Sequence, residues 1–291
     1  MKQLIRRAPI VLPITLLLLA MASFQAGASI AKTMFPLVGA IGTVTLRIVL
    51  GTAILAITMK PWRTRIAPGA RRALLIYGMS LGLMNLCFYL ALCRLPLGIA
   101  VAVEFSGPLA VAVFTSRRTL DFCCIVLAVG GLLLLLPIVH PGGRIDPVGV
   151  LYALAAGACW ALYIIFGRTA GAAHGTQTVV LGSIISTIVI APIGLATAGS
   201  ALLSRSVLLP GLAVAILSTA LPYTLEMIAL TRIPARTFGV LMSVDPALAA
   251  TFGLVFLHER LSAPQWVAIL LIIAASIGTT LTVSQKVPIP G

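Results

Sequence analysis

Three carboxylates and one arginine lie inside stretches of sequence that are otherwise apolar. The acids are Glu104, Glu226 and Asp245, and the arginine is Arg47. A charged side chain inside a membrane is costly unless it is paired or hydrated, so such residues usually face a partner or a water-filled cavity. Burial also favours the neutral form of a carboxylic acid. These acids are therefore candidates for binding protons or the ammonium group of a substrate.

Each acid also has a structural alternative. Glu104 lies near the middle of its apolar run, where it either couples transport to protons or bridges neighbouring helices through a hydrogen bond. Glu226 either takes part in transport or pairs with Arg232 or Arg236. Asp245 either takes part in transport or caps a helix, since aspartate is a favourable N-cap residue. The sequence leaves these alternatives open.

The side chain of Arg47 has two candidate roles. A guanidinium can bind a substrate carboxylate through two parallel hydrogen bonds, or it can pair with one of the acids or extend towards the membrane surface. Tyr223 is a candidate hydrogen-bond partner for a substrate hydroxyl. Four further aromatic residues either line a cavity or anchor helix ends at the membrane interface; they are Phe24, Tyr89, Trp160 and Tyr163.

Proline interrupts the apolar runs that carry these residues. The sites are Gly107-Pro108, Pro222-Tyr223 and Asp245-Pro246. Proline has no backbone N–H and leaves a carbonyl without its helical donor, which is tolerated at membrane depth only beside protein or cavity water. These breaks predict either a central cavity, whose helix N-termini could receive a substrate carboxylate, or simple kinks.

The composition indicates an all-α membrane protein. Of the 291 residues, 60% are hydrophobic and 9% are charged, against about 25% charged in soluble domains. Runs of about 20 apolar residues are long enough to cross a bilayer. They predict ten transmembrane helices, at about 10–30, 37–59, 73–92, 97–115, 120–139, 148–168, 176–197, 207–229, 235–256 and 264–283.

The basic residues indicate the orientation of the chain. The net charge is +14, but the basic residues sit in short loops rather than in an aromatic-interleaved patch, which excludes nucleic acid and favours contact with membrane lipid. Fourteen of the 20 Lys and Arg residues fall on the N-terminal side of the predicted helices, and five fall on the other side. This bias places both termini in the cytoplasm.

The sequence lacks the motifs of an enzyme or an ATP-driven pump. It contains no zinc-protease, serine-hydrolase or nucleotide-binding motif, so we expect no catalytic residues, no cofactor, no metal and no ATPase subunit. Histidines 140, 174 and 258 fall in or near loops, where solvated side chains are expected. Several glycines are expected at close helix contacts; they are Gly78, Gly82, Gly130, Gly131 and Gly182.

An internal repeat divides the chain into residues 10–139 and 148–283. Leu92–Pro96 align with Leu230–Pro234 at an offset of 138, and Pro108 aligns with Pro246 at the same offset. Five helices per repeat is an odd number, so the second repeat enters the membrane from the opposite side. Inverted repeats place a binding site near the midplane and support alternating access.

Several stretches resemble the EamA-type exporters of the drug/metabolite transporter superfamily. They include Ala20–Phe24, Pro36–Gly39, Pro96–Glu104, Gly157–Trp160 and Leu212–Tyr223. The resemblance implies a secondary-active carrier of the bacterial inner membrane. It implies export of small amino acids such as homoserine and threonine, with proton antiport as the energy source. The alternative is a broader exporter of drugs, nucleobases or aromatic metabolites.

Overall fold

The chain is helical throughout the part described by the computed structural model. That part comprises residues 8–115, 119–135, 145–230 and 235–283, and it contains no β-strand. The α-helices in these ranges are α1 Ala8–Met59, α2 Arg71–Leu92, α3 Leu97–Glu104, α4 Ser106–Thr115, α5 Thr119–Leu135, α6 Pro147–His174, α7 Gln177–Ala198, α8 Arg205–Ala215, α9 Leu221–Leu230, α10 Ala235–Met242, α11 Asp245–Leu257 and α12 Ala263–Val283.

The helices identify a multi-pass membrane protein. Six helical stretches in the described ranges are long and apolar enough to cross a bilayer, and three shorter apolar helices accompany them. The prediction of an all-α membrane protein is therefore confirmed. Helices α2, α6, α7 and α12 each begin within two residues of a predicted start.

Helix α1 reverses direction at Gly39. Its apolar part, Leu12–Met59, has 48 residues and would span about 70 Å if straight, more than twice the hydrocarbon thickness. Instead, the Arg47 guanidinium lies 4.9 Å from the centre of the Phe24 ring, so the two halves fold back on each other. Gly39 makes the turn at φ 69°, a conformation that glycine adopts without steric cost.

The predicted end of the first apolar segment near residue 30 is therefore wrong. Helical structure continues through Lys32 and Pro36 up to the turn at Gly39. The loop expected between residues 30 and 37 does not form, because a single glycine is enough to reverse the chain. The two halves of α1 still correspond to the predicted segments at 10–30 and 37–59.

Two short helices end just before a proline, as the sequence predicts. Helix α3 ends at Glu104 and α4 begins at Ser106. Because Pro108 lacks an N–H, it cannot donate to the Glu104 carbonyl four residues earlier. Helix α10 ends at Met242, and α11 begins at Asp245, just before Pro246. Both ends of α10 lie 138 residues after those of α3, which is the offset of the sequence repeat.

Glycine allows helices to cross with their backbones in contact. A Cβ on Gly107 would collide with the carbonyl oxygen of Gly157 in α6. The prediction of close contacts is confirmed for Gly78 and Gly82 against α7, for Gly182 against Tyr77, and for Gly131 against α12. It is wrong for Gly130, which has no neighbour within 4 Å of an added Cβ. These contacts fix the spacing of α2, α4, α6 and α7.

The main core lies where the second half of α1 meets α2, α3 and α6. Tyr89 and Leu92 of α2 and Ile99 of α3 are 0% exposed there. Helices α11 and α12 extend this core through small and aliphatic residues such as Ala249 and Ile269. The short helix α3, which carries Glu104 at its end, is buried along its whole length.

His174 is buried, so the expectation that it is solvated is wrong. Helix α6 extends to His174, and the loop between α1 and α2 packs against it. The ring Nε2 accepts a hydrogen bond from the Ala67 N–H at 3.2 Å, and Nδ1 lies 3.0 Å from the Ala170 carbonyl oxygen. His258 is exposed, as expected. His140 lies outside the described residues.

The contact between Gly107 and Gly157 makes a prediction about stability. We expect Gly107→Ala to lower the apparent melting temperature in detergent by about 3–10 °C, because overpacking a tight contact costs roughly 1–3 kcal/mol. Gly130→Ala is the matched control. It adds the same methyl group where no atom lies within 4 Å, and we expect no decrease. Equal melting temperatures for the two variants would contradict the close backbone contact.

Candidate functional site

Arg47 is buried at the junction of α1, α2 and the segment that joins α8 to α9. It is 2% exposed. Its Nη2 donates to the Ser218 carbonyl oxygen at 3.0 Å, and its Nε donates to Thr219 Oγ1 at 3.5 Å. The guanidinium carbon lies 4.9 Å from the Phe24 ring centre and 5.5 Å from the Tyr89 ring centre. Aromatic faces stabilise a desolvated cation, so these rings partly replace water around Arg47.

The Ser218 carbonyl can accept a hydrogen bond from Arg47 because the helix is irregular between α8 and α9. Residues Ile216–Ala220 form a π-helical turn between α8 and α9. Pro222 has no N–H to donate to the Ser218 carbonyl four residues earlier, and the guanidinium donates to that carbonyl instead. The chain is thus irregular just before Pro222, but it does not break there, because the π-helical turn continues directly into α9. Such π-helical turns occur frequently at functional sites.

The structure brings the three acids and Arg47 into one electrostatic group. Glu104 and Asp245 are 7% and 8% exposed. Glu104 is close enough to interact electrostatically with both Asp245 and Arg47, and Glu226 interacts in the same way with Asp245. None of them forms an ion pair within 4.0 Å of another described side chain; the ion pairs found in the described ranges are elsewhere. Glu104 thus interacts with both Arg47 and Asp245, and Glu226 with Asp245, without a direct ion pair among the described side chains.

Asp245 does not cap helix α11. It occupies the first helical position, where no side-chain cap is present. Instead, its Oδ1 accepts a hydrogen bond from Gln25 Nε2 at 2.9 Å. Gln25 is 0% exposed, and its Oε1 has no partner among the described residues. Our sequence reasoning overlooked Gln25, although a glutamine in an apolar run is a signal that could have identified it.

Glu226 is half-buried near the end of α9. Arg232 and the side chain of Arg236, the partners considered from the sequence, lie outside the described residues. Tyr223 precedes Glu226 by one turn and lines a cavity together with Arg47. This tyrosine is therefore placed beside the arginine.

The four aromatic candidates separate into two groups. Phe24 and Tyr89 contact the guanidinium of Arg47. Tyr163 instead stacks on Tyr77 with ring centres 4.7 Å apart. Trp160 makes an edge contact with Phe105 at 5.4 Å. The repeat-related pair, Phe24 and Trp160, thus occupies different surroundings.

Two cavities lie along these helices. The smaller, of about 20 Å³, is lined by seven polar and two aliphatic residues. Its lining residues are Arg47, Ile48, Thr52, Leu81, Asn85, Ser183, Ser186, Thr219 and Tyr223. The larger, of about 570 Å³, lies between the turn at Gly39 and the ends of α2 and α7, with Cys93, Arg94 and Tyr152 in its wall. Asn85, Ser183 and Ser186 are further polar residues that sequence reasoning did not single out.

Ion pairs fix the helix ends near the larger cavity. Lys32 Nζ contacts Glu259 Oε1 at 2.5 Å, and Glu259 Oε2 accepts from the Leu97 N–H at 2.7 Å, at the start of α3. Arg94 Nη1 donates to Asp146 Oδ2 at 2.6 Å. The hydrogen bond from Arg94 holds the pKa of Asp146 below its usual range. Lys32 and Arg94 therefore hold neighbouring helix ends in place.

In the described ranges, no three potential metal ligands come together. The chemistry of the site consists of one cation, three carboxyl groups, two aromatic faces and a set of hydroxyl and amide groups. Such a set can bind a small zwitterion through charge-assisted hydrogen bonds.

The comparisons with known proteins agree on one family of transporters. The sequence profile of the EamA-like transporter family matches residues 147–281. The chain is 58% identical to the threonine/homoserine exporter RhtA of Escherichia coli K12 over 282 residues, covering 97% of this chain and 96% of that protein. It is 57% identical over 281 residues to RhtA of Salmonella typhimurium LT2, covering 97% and 95%. A crystal structure that is 19% identical shares the fold with a TM-score of 0.61, covering 96% and 98% of the two chains.

The hydrogen bond from Arg47 to the Ser218 carbonyl can be tested with a double-mutant cycle. Pro222→Ala supplies an N–H that can donate to the Ser218 carbonyl within the helix. We therefore expect Arg47→Met to destabilise the Pro222→Ala protein less than the unmodified protein, with a coupling of about 1 kcal/mol. The measurement is the apparent melting temperature of the four proteins in detergent.

The matched control for this cycle is Pro192→Ala. Pro192 is an exposed proline inside α7, so its replacement also restores a helical N–H but not beside Arg47. We expect Arg47→Met to lower the apparent melting temperature by the same amount with and without Pro192→Ala. Additive effects of Arg47→Met and Pro222→Ala would show that the carbonyl and the guanidinium are not coupled.

Proposed function

The chain belongs to the EamA-like transporter family, and we propose that it exports small amino acids such as homoserine and threonine from the cytoplasm by proton antiport. The relatives named above, which match over nearly the full chain, are threonine/homoserine exporters. Membership of this family makes the protein a transporter and not an enzyme. The observation that carries the choice of substrate is the buried guanidinium of Arg47.

Arg47 fits a receptor for the carboxylate of an amino acid. It is 2% exposed and has no carboxylate within ion-pair distance among the described side chains. Its bonds to Ser218 and Thr219 use Nη2 and Nε, so Nη1 takes part in neither of them. A charge that is desolvated without a counterion is costly, and a bound carboxylate offsets that cost through two charge-assisted hydrogen bonds.

The acids supply the complementary half of the site. Glu104 interacts electrostatically with Arg47 and Asp245, which supports the proposal that it faces the ammonium group of a zwitterion bound at Arg47. A carboxylate can either hold the substrate's ammonium group or hold a proton. Competition between the two on one acid couples substrate leaving the cell to a proton entering it. Glu104 is proposed as this acid, with Asp245 and Glu226 as its neighbours.

We propose ten membrane crossings in two inverted repeats, residues 10–139 and 148–283. The reversal of α1 at Gly39 supports two crossings within that helix. The offset of 138 residues between α3 and α10 supports the repeat. The distribution of basic residues supports cytoplasmic termini and insertion in the bacterial inner membrane.

Alternating access follows from the same arrangement. Under this orientation the larger cavity, of about 570 Å³, faces outward, whereas the polar cavity at Arg47 holds about 20 Å³. A substrate needs the helices around Arg47 to separate before it can bind. The polar residues that line the cavity at Arg47 favour a small hydroxylated amino acid over a drug or an aromatic metabolite.

A panel of radiolabelled amino acids in proteoliposomes tests this function. We expect a pH gradient with an acidic vesicle lumen to drive uptake of homoserine and threonine, because each substrate molecule enters in exchange for protons that leave. Vesicles containing Arg47→Met protein should transport both at least about tenfold more slowly. A substrate profile led by aromatic compounds, or transport indifferent to the pH gradient, would refute the proposal.

Replacing Glu104 with glutamine separates coupling from binding. We expect Glu104→Gln to abolish movement driven by a pH gradient, because the group no longer titrates, while exchange of internal for external substrate survives. The measurement compares pH-driven transport with exchange in the same vesicles. Asp245→Asn and Glu226→Gln serve as comparison variants. Retained pH-driven transport in Glu104→Gln would assign the coupling role to one of those two acids.

A further inference from the structure

The polar cavity beside Arg47 has a second polar end formed by α2 and α7. Asn85 of α2 and Ser186 of α7 line it, and they are 5% and 1% exposed. The two helices approach closely at this level, since a Cβ on Gly82 would lie 3.0 Å from Ser186 Oγ. Both residues therefore present polar groups to a confined volume that Arg47 also lines.

The hydroxyl of Ser186 differs from those of Thr52 and Ser183, which line the same cavity. Ser183 donates to the Val179 carbonyl at 2.8 Å, and Thr52 donates to the Ser183 carbonyl at 3.1 Å. Thr187, one residue beyond Ser186, contacts both Thr52 Oγ1 and the Ser183 carbonyl. Ser186 Oγ has no hydrogen-bond partner within the described part of the chain. A buried hydroxyl without a partner is costly to maintain.

The amide of Asn85 is only partly used as well. Its Nδ2 donates to the Leu81 carbonyl at 2.8 Å, one turn earlier in the same helix. That bond engages one of its two N–H groups and leaves the Oδ1 acceptor available to the cavity. Asn85 and Ser186 together can accept one hydrogen bond and donate another. This is the pattern that an alcohol requires, because a hydroxyl both donates and accepts.

We propose that Ser186 and Asn85 bind the side-chain hydroxyl of the transported amino acid. The inference rests on the proposed function, in which Arg47 binds the carboxylate of the same molecule. The substrate hydroxyl donates to Asn85 Oδ1 and accepts from Ser186 Oγ. The cavity of about 20 Å³ has room for about one water-sized group, so the full substrate enters when α1, α2 and α7 move apart.

This arrangement explains a preference for hydroxylated amino acids. An apolar side chain of the same shape would leave Ser186 and Asn85 without partners, and sites built to hydrogen-bond a hydroxyl reject analogues that lack it. Valine has the shape of threonine, and norvaline has the shape of homoserine. In each pair a methyl group replaces the hydroxyl. The two pairs therefore measure hydroxyl recognition separately from size.

The test measures how well each amino acid competes for exchange of radiolabelled threonine in proteoliposomes. For the unmodified protein we expect threonine to compete at least about tenfold better than valine, and homoserine better than norvaline by a similar factor. In Ser186→Ala protein we expect the threonine-to-valine ratio, meaning how much better threonine competes than valine, to fall by about fivefold to tenfold. The ratio should fall because threonine loses a hydrogen-bond donor and because valine no longer leaves the Ser186 hydroxyl without a partner.

Two further variants distinguish recognition from packing. Ser186→Ala keeps the small side chain that faces Gly82, so a purely structural role for Ser186 predicts an unchanged ratio. Asn85→Leu keeps the size of Asn85 and should also lower the ratio. Ser29→Ala is the matched control, because Ser29 is a buried serine whose hydroxyl donates to the Gln25 carbonyl at 2.9 Å. We expect its ratio to equal that of the unmodified protein.

The outcomes separate this inference from the function on which it rests. If the unmodified protein transports no amino acid, the proposed function fails. If it transports threonine and discriminates against valine, but Ser186→Ala and Asn85→Leu keep the full ratio, the hydroxyl site is overturned and the function stands. If one variant does not yield folded protein by size-exclusion chromatography, the other decides the result.

Discussion

The burial of one guanidinium without a contacting carboxylate is the constraint on which the rest of the site depends. Arg47 is held by a backbone carbonyl, a threonine hydroxyl and two aromatic rings. These groups orient the cation but do not neutralise it. Glu104 lies near enough to interact with it, but none of the three acids forms an ion pair with it among the described side chains. Placing a charge in this way is useful when a ligand of opposite charge is to bind and leave again.

Irregular backbone makes this arrangement possible. The π-helical turn and Pro222 expose the Ser218 carbonyl to Arg47. The breaks before Pro108 and Pro246 end the short helices that carry Glu104 and precede Asp245. Glycine lets another helix backbone approach one of these breaks closely, as with Gly107 against Gly157 of α6. Proline and glycine therefore have complementary effects: proline frees backbone polar groups, and glycine brings helices together around them.

Much of the fold could be predicted from the sequence, because hydrophobic length and proline position are local signals. The helix break before Pro108 and the close contacts of Gly78 and Gly82 are examples. The turn at Gly39 was misplaced, because nothing local distinguishes a helix that continues past residue 30 from one that ends there. Burial of His174 depends on a loop that is distant in sequence.

The candidate site could be predicted only in part, because contacts between residues distant in sequence leave no local pattern. Charged residues in apolar runs stand out, which identified Arg47 and the acids. Their neighbours do not stand out, because Gln25 and Asp245 are 220 residues apart and no local pattern joins them. The hydroxyl of Ser186 is notable only because the hydroxyls of Thr52, Ser183 and Thr187 near it form hydrogen bonds. Such a fact requires the packed structure.

The central claim is that Arg47 receives the carboxylate of the substrate. The most direct test compares competition by threonine with competition by threoninamide, which has the same side chain and ammonium group but no carboxylate. The unmodified protein should prefer threonine by at least about tenfold, as expected for a charge-assisted bidentate contact. Arg47→Lys should keep part of this preference, and Arg47→Met should abolish it while remaining folded. A folded Arg47→Met protein that still prefers threonine over threoninamide by the full factor would contradict the account.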